Sequence, residues 1–261
     1  MELNGIKNRA LVFINEPISL QNCSDILILH CTVTDHPETV GIYLYQCSNV
    51  IILNCNITNV QSGVYADHCT NSITVSNCTF KNMQGPKPRG QAVQFNNFNG
   101  YGGAITDNLI LNQPLKSNAE DAISLYQSNG TPDSPIMVTG NRIRGGGPSQ
   151  SGGGILLGDK GGSWQVAQGN KLVDPGQYGI AIAGGDSVSI IDNLIYGSKK
   201  AWSNVGLYVM NYSPIGKHTI SGNRVNFTNS KGVLNNSWFG YGDADGVLYD
   251  SLLSTSLVGW V

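Results

Sequence analysis

The sequence has 261 residues, of which only 12% are charged and 33 are glycine, and its formal net charge is −2. So slight an acidic balance provides no field for a phosphate backbone, which argues against nucleic acid as a partner. No apolar run approaches the ~20 residues that a membrane span needs, and Met1-Glu2-Leu3-Asn4-Gly5 lacks the basic start and apolar core of a secretory signal.

Residues 1–17 show no cap signal. Cysteines then set a period: Cys23, Cys47 and Cys69 are 24 and 22 residues apart, and Cys31, Cys55 and Cys78 are 24 and 23 apart. Each trio is expected to fill one column on successive coils, as small apolar thiols lining a core. Without a C-x-x-C spacing, a metal site is not expected of them.

Two kinds of strand recur. In one, at residues 50–57, 72–80, 136–143, 188–195 and 218–225, alternating apolar residues lead into an Asn and a further apolar residue. The corner residues are Asn54, Asn77, Asn108, Asn141, Asn170, Asn193 and Asn223, and His30 takes the same slot earlier in the chain. Stacked asparagines can bond the next coil's Asn and satisfy buried turn amides. The other strand spans residues 41–45, 63–67, 92–96, 122–126, 154–158, 179–183 and 206–210. Its second and fourth positions are always apolar and point inward; its third and fifth then point outward. From coil to coil, position three reads Tyr43, Tyr65, Gln94, Ser124, Leu156, Ala181 and Tyr208. Position five reads Tyr45, Asp67, Asn96, Tyr126, Gly158, Ala183 and Met210.

Nothing between these strands is long and helically periodic. Short parallel strands stacked at ~4.8 Å leave an all-β, single-stranded right-handed parallel β-helix of about nine coils, with an imperfect repeat of 22 to 33 residues. The whole chain, 1–261, reads as one domain. From about residue 226 the repeat is lost, and Trp238, Phe239, Tyr241, Tyr249 and Trp260 are expected to cover the last coil.

Chemistry is expected on the outward face. The entering loops at 85–90, 113–121 and 145–154 and the leaving loops at 127–135 and 158–162 are long enough to wall a groove. Lys87, Arg89, Lys116 and Lys160 would place positive charge over a floor of tyrosines and amides, with His68, Gln127 and Asp159 just past the strand. Tyrosine rings stack on sugar faces, amides bond hydroxyls, and Lys or Arg pairs with uronate carboxylates, so the expected partner is an acidic polysaccharide. Its depolymerisation by β-elimination needs a base, an acid and a neutralised carboxylate. Lys160 or Lys116 would be the base and Tyr126 the acid, with Arg89, Gln94 and Asn96 on the carboxylate. Tyr45, Tyr65, Asp67, His68, Lys87 and Asp121 complete the substrate-binding set.

Each has a plainer reading: Tyr43, Tyr45 and Tyr65 as a strand-favoured ladder, Lys87 and Lys116 as loop charges, Asp121 as a turn former. Residues 243–246, Asp-Ala-Asp-Gly, carry only a faint calcium-loop pattern.

Residues 88–95 (PRGQAVQF), 117–124 (SNAEDAIS) and 152–159 (GGGILLGD) resemble bacterial β-helix proteins of the pectate-lyase-like superfamily, over roughly residues 75–240. Among these the chain is most similar to the compact β-helix alginate lyases. The resemblance implies a polysaccharide lyase acting on alginate, with acid/base work falling on Lys160, Lys116, Tyr126 or Arg89. It requires no cofactor but admits a divalent cation, calcium or magnesium. It also implies an extracellular location, a cytoplasmic one being the alternative. Glu120-Asp121 and the glycine-rich strand resemble polygalacturonase motifs too, but Gly153 and Gly154 stand where those hydrolases carry a His, which counts against hydrolysis. Because Asp67, Asp121 and Asp159 lie on different coils, hydrolysis by paired carboxylates is still the alternative, followed by an epimerase and a non-catalytic carbohydrate-binding or adhesin solenoid.

Overall fold

A computed structural model describes residues 1–210, 217–240 and 247–254. These form parallel strands wound into a solenoid, with no helix among them. One face, the groove sheet, stacks Ile18–Gln21, Ile42–Tyr45, Val64–Asp67, Val93–Asn96, Ile123–Asn129, the start of Ile155–Gln168, Tyr178–Ile182, Val205–Val209 and Ser237–Phe239. A second face stacks the strands from Lys7–Val12 to His218–Ser221, and a third holds nine strands from Thr32–His36 to Val247–Tyr249.

Alternation builds the core as the sequence implies. Ile42 and Leu44, Val64 and Ala66, Val93 and Phe95, and Ile123 and Leu125 are buried inside, and the pattern continues through Ile180 and Ile182. Both cysteine trios occupy single columns of free, buried thiols, whose sulfurs bond backbone carbonyls.

The asparagine ladder is shorter than expected. Asn108, Asn141, Asn170, Asn193 and Asn223 stack in the core, each amide and backbone N–H donating to the next residue's Oδ1 at 2.9–3.1 Å. Asn54 and Asn77 are not part of it. They sit one residue earlier, exposed, in the left-handed conformation with φ of 54° and 50°. Their column also contains His30, Asp107 and Asp192, and Gly140, Gly169 and Gly222 in the remaining coils. Asparagine tolerates this conformation better than most residues. The buried slot of those earlier coils belongs to Cys31, Cys55 and Cys78, and the handover falls where the Cys78 backbone N–H donates to Asn108 Oδ1 at 3.0 Å.

Two further expectations change. Among the described residues beyond 226, Ser237–Phe239 and Val247–Tyr249 add strands to the groove and third sheets. Trp238 and Tyr249 are correspondingly half-exposed. Tyr241, Trp260 and residues 243–246 fall outside the described residues. At the fifth position, Gly158 is displaced by a bulge, so that Tyr126 pairs with Asp159. Gly158 makes the turn with φ of 63°, and a Cβ there would meet the Gly184 carbonyl oxygen at 2.0 Å.

Candidate active site

The enlarged loops wall a groove of about 1240 Å³ over the groove sheet. Its floor is the third-position column, whose register runs Tyr65, Gln94, Ser124, Leu156. That column is more enclosed than an open wall would be: Tyr65 and Gln94 are each 7% exposed and Ser124 2%.

Three cations reach the groove, two of them from the loop before Val93–Asn96. Arg89 lies over the Tyr65 ring, its guanidinium carbon 3.7 Å from the centroid. Lys87 Nζ donates to Ser151 Oγ at 3.2 Å. Lys160, within the strand Ile155–Gln168 just past its bulge, is exposed. None of the three has a carboxylate within ion-pair distance among the described residues.

Three carboxylates face them. Glu120 and Asp121 enter at the start of one groove strand, 8% and 6% exposed, and Asp159 lies one coil on. Glu120 Oε1 accepts from Ser151 Oγ at 2.5 Å. Asp121 Oδ1 accepts the Gly153 backbone N–H at 2.9 Å and the Tyr178 hydroxyl. Burial pushes the Asp121 carboxyl up to about 7; the Tyr178 and Gly153 bonds oppose the rise, while the charges of Glu120 and Asp159 add to it. Asp159 is raised too, first by burial, but Lys160 and Lys87 pull it back toward the ionised form.

Of the expected residues, Lys160, Tyr126, Arg89, Lys87, Gln94, Asn96, Tyr65 and Asp121 all line this groove. Lys116 does not. Its loop turns outward, and the side chain lines a separate hollow with Lys81 and Gln84, where the Gln84 amide donates to its carbonyl at 2.8 Å. Asn96 is in the groove, but its amide donates to Asp67 Oδ1 at 2.6 Å and is therefore committed. Asp67 also accepts from His68 Nδ1 at 2.7 Å and Tyr43 at 3.4 Å, and Tyr45 packs edge-on to His68. Asn96, Asp67, His68 and Tyr43 thus form a hydrogen-bonded cluster at one end of the column, with Tyr45 packed against it. Burial, followed by the nearby Asp67 charge, pushes the Tyr43 hydroxyl up to about 12.

Sequence reasoning missed Tyr178 and the part played by Glu120. Tyr178 precedes the repeat's Gly179 by one residue, outside the five-residue strand pattern, and nothing local marks it. The described residues hold no group of three or more His, Cys, Asp or Glu placed to share a metal ion. No helix among them is long and apolar enough to cross a membrane.

In sequence, residues 4–131 match the family described as the right handed beta helix region. No curated protein matches the chain significantly. In three dimensions it is similar to the catalytic domain of a GH87 alpha-1,3-glucanase variant in complex with tetrasaccharides. Identity there is 11%, coverage 95% of this chain and 54% of that one, and the TM-score 0.50. The periplasmic alginate epimerase AlgG gives 11% identity, 95% and 73% coverage and a TM-score of 0.41. A tailspike protein variant of E. coli bacteriophage HK620 in complex with hexasaccharide gives 14%, 86%, 54% and 0.44. The chain spans about half the length of the glucanase domain. At 11% identity the likeness to the glucanase domain is one of fold alone, and with the family match and the parallel coils that fold is the right-handed parallel β-helix.

Proposed function

We propose that the protein hydrolyses glycosidic bonds of an acidic polysaccharide lying along the groove, with Asp121 as general acid and Asp159 as general base. The observation that carries this is a pair of carboxyls from adjacent coils lining one groove in unlike surroundings. Burial raises both, Asp121 to about 7, so that it holds a proton near neutrality, whereas Asp159 has Lys160 and Lys87 drawing it back toward the ionised form. Such a difference in surroundings divides the acid from the base. Asp121 protonates the glycosidic oxygen as the bond breaks. Water attacks the anomeric carbon, and Asp159 accepts the proton that the water loses. Arg89, Lys87 and Lys160, without carboxylate partners of their own, suit uronate groups. Such a substrate is met outside the cytoplasm.

β-Elimination on alginate is the second reading, favoured by Tyr126 and Lys160 sharing the groove beside Asp159. Lys160 would be its base and Tyr126 its acid. Incubation with polygalacturonate, alginate and hyaluronan separates the two. Hydrolysis yields reducing ends without the ultraviolet band of an unsaturated uronate, whereas elimination yields both. New ends that persist undiminished in Asp121→Asn would refute the assignment of the acid, and no cleavage of any polyuronate would refute the function.

A further inference from the structure

Tyr178 reaches Asp121 across an intervening coil. The two residues are 57 apart in sequence, and the strand beginning at Ile155 lies between theirs. The hydroxyl gets past because residues 152–154 are all glycine. A Cβ on Gly153 would meet the Tyr178 ring at 2.7 Å at three separate atoms. The ring is 1% exposed and packs edge-on to Tyr208 at 4.9 Å between centroids, which fixes its direction. Both donors to Asp121, the Tyr178 O–H and the Gly153 N–H, fall on Oδ1.

We infer that Tyr178, through the glycine window at Gly153, is the positioning residue of the acid: it occupies Oδ1 and so obliges Asp121 to carry its proton on Oδ2, the oxygen left to the groove. This deepens the hydrolytic reading and rests on it for its consequence in catalysis. The bond itself can be tested without substrate. An Oδ1 that already accepts two donors cannot also hold the acidic hydrogen without losing one of them. Tyr178 does not touch substrate; it acts through Asp121. The titratable groups around the pair are Glu120 and Asp159 on the Asp121 side, with Lys160 and Lys87 beyond Asp159, and Tyr208 on the Tyr178 side. Among the described residues only Tyr178 and the Gly153 amide bond the carboxyl directly.

The test uses Tyr178→Phe, which keeps the ring and its packing, and Gly153→Ala, which displaces the ring by closing the window. The first readout is the carboxylic acid infrared band lost on Asp121→Asn, titrated in the full chain without ligand. The Tyr178 bond favours the ionised carboxyl, so its removal should raise the titration midpoint by about one pH unit in Tyr178→Phe. Gly153→Ala should move it the same way. The second is the pH profile of kcat/KM on whichever polyuronate is cleaved: its alkaline limb should move up by the same amount, with kcat down about tenfold. A band midpoint unchanged in Tyr178→Phe, with a melting temperature like the wild type's, would overturn the inference whether or not any polysaccharide is cleaved. A shifted band in a protein that cleaves nothing would sustain the positioning of the proton and sink the hydrolytic reading alone.

Discussion

Replacing Asp121 with Asn should stabilise the protein in alkali and leave it nearly unchanged in acid. Asp121 is 6% exposed, and its carboxyl is raised from the ordinary 3.8 to about 7. Between those values the native state binds a proton that the unfolded chain has released, so stability must fall as pH rises through this window. The stability linked to that proton is fully present below about 4 and is lost once pH has passed about 7. The gap between 3.8 and about 7, at about 1.4 kcal/mol per pH unit, corresponds to about 4 kcal/mol. Asn keeps an Oδ1 that can accept from Tyr178 and Gly153, fills the same volume and never ionises. Guanidinium unfolding should therefore find wild type and Asp121→Asn within about 1 kcal/mol at pH 4, and the variant more stable by about 4 kcal/mol at pH 8.5. Activity should be lost at both pH values. An equal difference in stability at the two pH values would refute the claim that burial holds the proton on Asp121.

Two other perturbations separate columns and charges. Asn170→Ala removes the acceptor of both Asn141 donors and the side-chain donor to Val138 O and Asn193 Oδ1, leaving Asn193 Oδ1 only the backbone N–H, which should cost about 3 kcal/mol. Asn54→Ala, one column over and exposed, should cost only about 1 kcal/mol for its left-handed backbone, and Asn54→Gly should restore it; urea midpoints check all three. Arg89→Ala should raise KM for a polyuronate severalfold at low salt, with the ratio to wild type shrinking toward one as salt screens the charge. A KM ratio independent of salt would mean that Arg89 acts by packing on Tyr65 and not by charge.

The fold was legible because its signal is redundant. Alternation at Ile42 and Leu44 returns at Val64 and Ala66 and at Val93 and Phe95, and the cysteine spacing repeats the same period. A mistake of one residue still cost something. Asn54 and Asn77 look like Asn108 in sequence, but the Cys that follows each of them takes the buried slot, and only the hydrogen-bond ladder distinguishes the two columns. The site was half legible. Outward positions and long loops brought Arg89, Lys87, Tyr126 and Lys160 to one groove, since register alone fixes where they stand. Lys116 failed because a loop's length does not tell which way it turns. Asn96 stands in the groove as well, but its bond to Asp67 is made across coils, and no spacing records it.

The chemistry collects where the repeat is broken. A regular coil can offer the groove only its third and fifth side chains, spaced by the strand separation and flanked by near-identical neighbours. The candidate acids escape that limit by three local departures. Glu120 and Asp121 stand before the strand proper, where a long loop brings them down onto the floor. Asp159 is carried into the fifth column by the bulge at Gly158, opposite Tyr126. Tyr178 spans two coils because the strand between them begins in glycine. Each departure costs something that a purely structural coil would avoid: a buried carboxyl, a left-handed turn, a strand start without side chains to pack. Their convergence on Asp121 is hard to assign to stability, since by the linkage above that residue weakens the fold at neutral pH. A buried group that destabilises its own protein at neutrality, held by a second buried residue two coils away, is what a proton donor requires and what a scaffold does not.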